Sequence, residues 1–377
     1  MRVRASGVFF EAGSAPINQQ SVSSTAVVRT SDDTILVSCR LGSDREGPDG
    51  HAAVFATRDL GGSWELRYLG LADREWDGIR GEARAWMIAE MAPGELRASV
   101  LWVDRSDPGA PWVNQRTLGL RPMRTYHLTS RNGGCTWTDR RLFDTSPHPG
   151  ASPTGPLLGL ADGRLGQPFE QWKEYDDENP GRPAAFIRIS ADGGATWPDE
   201  SIVAVDPGNR VFYWDQRLAV HPSTGELVAM FWTHDVQAGT DRDVHVAWGS
   251  ADGRAWSPPR ATGLAGQHCQ PVAIGGDRLV AVYSHRGRPP GIRAALSRDF
   301  GRTWDSSEEV RIYDSPAGDE PGSAGPRAQQ DYWNDMGAWQ FGHPRGVATA
   351  DGRVFAVFYG GQGQSRSGRW ALVEVDE

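Results

Sequence analysis

Two histidines stand at matching places in the last third of the chain. Counted back from the turns Gly275-Gly276-Asp277 and Ala350-Asp351-Gly352, His268 and His343 occupy equivalent positions where apolar strands begin, with Arg286 and Arg345 nearby. Imidazole titrates near neutral pH, and guanidinium grips a planar carboxylate through paired hydrogen bonds. Together these groups suit proton transfer beside a bound anion. They belong to a wider charged and aromatic set: Arg40, Asp44, Arg45 and Glu46; Trp172; Gln19; Glu82 and Arg84; Trp214, Asp215, Gln216 and Arg217. Most of these are ordinary loop polarity, because pockets use few well-placed polar groups.

The elements that must bring these residues together are repeats. Five segments share one pattern: TRDLGGSW from Thr57, SRNGGCTW from Ser130, SADGGATW from Ser190, SADGRAW from Ser250 and SRDFGRTW from Ser297. Self-similarity on this scale means one supersecondary unit copied around an axis. Around each box an apolar run, a tight turn, a second run, a polar loop and a third strand lead into the motif. A fourth strand starts at its Trp. In the first repeat these are 24–29, 31–33, 34–40, 41–50 and 51–57. Asp or Asn can bond backbone N–H groups further along the turn, Gly takes positive φ, and the Trp ring buries between strands. The boxes are therefore folding staples. A boxless sixth unit spans 346–375, and Gly7-Val8-Phe9-Phe10 can supply its missing outer strand. The expected fold is all-β: a six-bladed β-propeller of four-stranded antiparallel blades, closed by the N-terminal strand, forming one domain over 1–377. The boxes lie on one rim, so chemistry is expected at the opposite rim, where the inner strands begin.

Composition narrows the partners. A net charge of −9 argues against nucleic acid, and no segment is long and apolar enough to span a bilayer. The start MRVRASGVFFEAG lacks a sustained apolar core, so a cytoplasmic location is expected. Cys39, Cys135 and Cys269 are odd in number and scattered, which disfavours a disulfide framework. With no CxxC or HExxH pattern, neither a metal nor another cofactor is expected.

In its boxes and six-unit plan the chain resembles the sialidase (neuraminidase) superfamily of Asp-box, BNR-repeat propellers. The segment from His268 to Asp305 is especially similar to sialidase-like bacterial proteins of unassigned activity. The resemblance implies an exo-acting glycoside hydrolase acting on a terminal, acidic sugar, with a carbohydrate as partner. Arg40 resembles the family arginine that ends the second strand of the first blade, and Asp44 or Glu46 matches the family acid. Asp215 or His343 is then the group that activates water or attacks the anomeric carbon, with His268 a further catalytic candidate. Arg40, Arg286, Arg345, Gln19, Arg84, Gln216 and Trp172 are the substrate-binding candidates. The chain departs from the family pattern in three places. The Phe-Arg-Ile-Pro motif is absent, His343 replaces the expected Tyr, and the family Glu falls near Asp215 or Gln216. Two other readings remain open: a uronate-directed lyase in which Arg neutralises the carboxylate and His removes a proton, and a non-catalytic propeller that binds a glycan or a protein.

Overall fold

The computed structural model describes residues 1–316, 326 and 329–376. The β-rich pattern folds as an all-β, propeller-like array in which hydrogen bonding sorts the strands into five sheets. One has eight strands, running in space from Phe341–Ala348 through Val354–Gln362 and Ser365–Glu374 to Ser21–Arg29, Ile35–Gly42, His51–Thr57 and Glu65–Leu69. Arg2–Phe10 is paired beside Ser365–Glu374. The next three sheets have five strands each. They are built around Ile79–Ala92 and Glu95–Asp104, around Leu165–Gln171 and Ala184–Ser190, and around Val211–Val220 and Leu227–Asp235. The fifth has four: Cys269–Ala273, Leu279–His285, Gly291–Ser297 and Val310–Asp314.

Six separate four-stranded blades are therefore not what strand pairing gives. The first and last units merge through one parallel pair, Ser21 with Arg366, and short extra strands widen three of the others.

Each box forms the hairpin expected of it. In the fifth, Ser297 Oγ donates to Asp299 at 2.7 Å, Thr303 N–H and Oγ donate to the same carboxylate at 2.8 and 2.6 Å, and Gly301 N–H bonds Ser297 Oγ at 2.8 Å. The core lies between neighbouring sheets, where Val54, Trp86, Val100, Trp102 and Tyr126 form one apolar cluster. Burying each such side chain stabilises the fold by about 1.5–3 kcal/mol.

Two features position the site. Inner strands carry β-bulges at Ser23/Ala26, Ala83/Ala85, Trp214/Arg217 and Gly342/Arg345. In addition, a helix that the sequence reading did not anticipate, α1 (Gln329–Ala338), reaches the same end of the array.

Candidate active site

A bulge inserts a residue and turns its side chain out of the strand's alternation. Here the inserted residues Ser24, Asp215 and His343 have φ of 49°, 51° and 48°, a left-handed conformation that costs a non-glycine residue about 1–3 kcal/mol. Each strained peptide is held by another blade-like unit. Ser24 N–H donates to His343 Nδ1 at 2.9 Å, Thr25 Oγ donates to His343 O at 2.5 Å, and Asp215 N–H donates to Glu170 Oε2 at 2.6 Å. Bonds from other strands thus hold these three left-handed residues at one mouth of the array.

The bulged residues line a cavity of about 200 Å3. Its polar wall holds Glu170, Asp215, His268 and His343 with Arg45, Arg84, Arg217 and Arg345; Trp112, Trp214, Trp232 and, from α1, Tyr332, Trp333 and Met336 form the apolar wall. Tyr332 packs edge-on against Trp232 and His234, with ring centroids 5.6 and 4.8 Å apart, which seats α1 on the sheet. Arg84 stacks over Trp112 at 4.5 Å.

Glu170 and Asp215 are neighbouring, half-buried carboxyls. Burial, reinforced by the Asp215 charge, pushes Glu170 up to about 7. Burial likewise raises Asp215 to about 6, although Arg217 lies 2.5 Å from its Oδ1. His268 Nε2 lies 3.7 Å from Asp215 Oδ2, and its Nδ1 has no hydrogen-bond partner among the described residues. Burial, with Arg217, Arg286 and Arg45 nearby, holds His268 well below the usual imidazole range. His343 is depressed for the same first reason, with His268 and Arg45 adding to it. Its Nδ1 accepts the Ser24 amide, and its Nε2 faces the Arg45 guanidinium, a pure donor, at 3.2 Å.

Of the other sequence candidates, Arg84 and Arg345 line the cavity, and Arg345 NH2 and NH1 donate to Thr154 O at 2.7 Å and Gln270 Oε1 at 3.0 Å. Glu46 stands behind the wall, joining Arg45 at 2.8 Å to Arg84. Asp44 caps its own loop through the N–H groups of Glu46 and Gly47. Like Asp44 and Glu46, five more candidates lie off the cavity. Arg40 is wholly buried in an ion pair with Glu82 at 2.7 Å, since a desolvated cation requires a countercharge. Gln216, the residue after the bulge, turns between sheets and donates to the carbonyls of Phe169 and Phe186. Arg286 is sandwiched by Trp339 and Phe341 at 4.1 and 4.4 Å. Trp172 packs behind the wall and donates to Leu118 O at 2.7 Å. Gln19 sits in the short turn Ile17–Gln19.

Glu170 was absent from the sequence set. It is the next-to-last residue of the strand LGQPFEQ, where one acid among strand residues carries no motif. Among the described residues no cluster of three or more His, Cys, Asp or Glu is arranged to hold a metal ion, and no helix is long and apolar enough to cross a membrane.

Comparison with solved structures agrees with the architecture. A protein of unknown function from Dyadobacter fermentans superposes with a TM-score of 0.73 at 16% identity, covering 100% of this chain and 99% of that one. The Hadza microbial sialidase Hz136 gives 0.66 at 17% identity, covering 99% and 69%. The intramolecular trans-sialidase of Ruminococcus gnavus, solved with oseltamivir carboxylate, gives 0.67 at 10%, covering 100% and 99%. At such identities the likeness is one of fold. No curated protein matches the sequence. The BNR repeat-like domain model matches residues 100–356, more than half of the length. The chain therefore belongs to the BNR repeat-like family, with a sialidase-like propeller fold.

Proposed function

We propose that this protein is an exo-acting glycoside hydrolase that removes a terminal acidic sugar. The observation that carries the reading is the Glu170–Asp215 pair, two carboxyls pushed toward neutral pH at the wall of an aromatic cavity. Separated proton affinities assign complementary tasks to two acids at one pH. Glu170, the more strongly raised, is protonated and gives its proton to the leaving oxygen as the glycosidic C–O bond breaks. Asp215, ionised against Arg217, takes a proton from the water that adds to the anomeric carbon. Each turnover consumes one water and leaves the proton on Asp215; its return to Glu170 through solvent restores both carboxyls to their starting states.

The acidic-sugar preference rests on a surplus of cations. Arg45 and Arg84 share one carboxylate, Glu46, while Arg345 is bonded to neutral oxygens. A carboxylate on the substrate would balance that charge. The aromatic wall suits the apolar C–H face of a sugar, and the cavity is small against the roughly 300–1,000 Å3 of drug-sized sites, which fits a single terminal ring. We also read the eight-stranded sheet as two blades joined at ring closure, giving six sectors in one domain over 1–377.

A panel of nitrophenyl glucuronides, galacturonides and sialosides tests the activity. Glu170→Gln and Asp215→Asn should each lower kcat by about 10²–10⁴. Unchanged turnover in both variants would overturn the assignment. The unpartnered Nδ1 of neutral His268 favours a second reading, proton abstraction beside a uronate carboxylate followed by elimination. That reaction creates an ultraviolet-absorbing double bond, which hydrolysis does not. Tight glycan retention without turnover would instead identify a binding module.

A further inference from the structure

A second, larger depression of about 820 Å3 adjoins the cavity and has no part in the scheme above. We propose that it holds the sugar on the leaving-group side of the bond, and that it accepts neutral or amino sugars and rejects acidic ones. This rests on the hydrolase reading for the words "leaving group", but not for the claim that a sugar binds there.

Continuity is the first argument. Leu120 and Met123 border both the cavity and the groove. The groove segment 145–151 runs straight into Ser152, which is paired in register with Glu170 and lines the cavity. From Glu170 the chain continues through Trp172, whose N–H bonds Pro149 O at 3.3 Å, to groove residues 174–177. Both walls thus lead from the proposed proton donor into the groove. A donor must stand beside the leaving oxygen, so the departing sugar extends that way, while α1 occupies another side of the cavity.

Charge is the second argument. Among the described residues lining the groove, Glu174, Asp176 and Asp177 are carboxylates, Arg121 is the one arginine, and His148 is bonded to Gln171 and Glu200. Arg121 is buried, with its guanidinium committed to the carbonyls of Asp104, Asp107 and Ala110 at 2.6–2.7 Å. An acidic ring placed there meets like charge that no free arginine or lysine among the described lining residues offsets, and such repulsion rejects a competitor without added contacts to the favoured one. Half-buried Tyr175 supplies an aromatic face for a neutral ring. The molecule would then read a junction: anionic sugar in the cationic cavity, uncharged sugar in the anionic groove.

The test is equilibrium binding of lactose and of digalacturonate to the full chain, wild type and two groove variants, Tyr175→Ala and Asp176→Lys. Lactose should bind in the millimolar range and weaken at least tenfold in Tyr175→Ala. Digalacturonate should bind at least tenfold more weakly than lactose in the groove, as mapped by chemical-shift changes at 174–177, and recover severalfold in Asp176→Lys. Lactose affinity unaffected by Tyr175→Ala, or equal groove binding of the two sugars, would overturn the proposal. If lactose binds as described while no glycoside of the panel is turned over, the groove stands as a sugar site and the hydrolase reading falls alone.

Discussion

Glu170 and Asp215 make the clearest residue-scale statement about pH. Turnover needs Asp215 ionised, so activity rises as pH passes about 6, and it needs Glu170 protonated, so activity falls as pH passes about 7. The pH profile of kcat/KM should be a narrow bell with its maximum between those limits, both belonging to the coupled pair rather than to either residue alone. The same shift acts on stability. Glu170 binds its proton more tightly folded than unfolded, so its favourable contribution is complete below the ordinary carboxyl value of 4.5 and is lost as pH rises through about 7. A tenfold change in proton affinity is worth about 1.4 kcal/mol, which makes the loss roughly 3 kcal/mol at pH 8. Glu170→Gln, neutral at every pH, should therefore unfold at a higher temperature than the wild type at pH 8 and at nearly the same temperature at pH 4. A wild-type advantage at pH 8 would mean that Glu170 is not desolvated. Of this pair, Asp215 was legible in the chain as a candidate and Glu170 was not. Glu170 carries no local signal, and Arg40, which did look like a substrate-binding residue, differs from a cavity arginine only by the long-range contact with Glu82 that buries it.

At the scale of elements, legibility follows locality. A box can be read because every bond it makes falls within a few residues: Ser190, Asp192, Gly194 and Thr196 close one hairpin, and Ser297, Asp299, Gly301 and Thr303 close another by the same bonds. The bulges at Ser24, Asp215 and His343 could not be read, because their left-handed peptides are held by partners on other strands far along the chain. Helix α1 escaped notice for a related reason. In QQDYWNDMGA the residues facing the cavity, Tyr332, Trp333 and Met336, form too short an apolar stripe to announce a helix, and they acquire meaning only against Trp214 and Trp232. If the boxes only staple the fold, breaking one should cost stability and nothing else. Asp299→Ala removes three acceptor contacts from a partly exposed turn, where water recovers part of the loss, so about 1–2 kcal/mol is expected. Thermal unfolding should show the lower melting point, and turnover per folded molecule should match the wild type. A selective loss of turnover at unchanged stability would make the box part of the site.

For the whole molecule the decisive seam is where the two ends of the chain meet. Arg2–Phe10 lies antiparallel to Ser365–Glu374, from Arg2 opposite Glu374 to Phe10 opposite Gly368, and so covers an edge that would otherwise offer unpaired N–H and C=O groups. Phe9 locks the seam. It is buried against Phe55 and Trp64, with centroids 5.4 and 5.5 Å away, and lies over Gly368, where a Cβ would come within 2.2 Å of its ring. The same seam reaches the site. Buried Arg366, the residue that pairs with Ser21, donates to Trp339 O at 2.7 Å and Gly337 O at 2.9 Å, tying ring closure to the C-terminal end of α1. Loosening the seam should therefore disturb the cavity wall as well as the sheet. Phe9→Ala is expected to cost about 3–5 kcal/mol, as for other buried Phe truncations. Removal of residues 1–10 should go further, bare the edge of Ser365–Glu374, and produce concentration-dependent oligomers in gel filtration. Hydrogen exchange should then rise at 365–374 and, through Arg366, in α1. If the shortened chain stays monomeric with α1 equally protected, the terminal strand is an appendage, and the coupling of closure to the site is wrong.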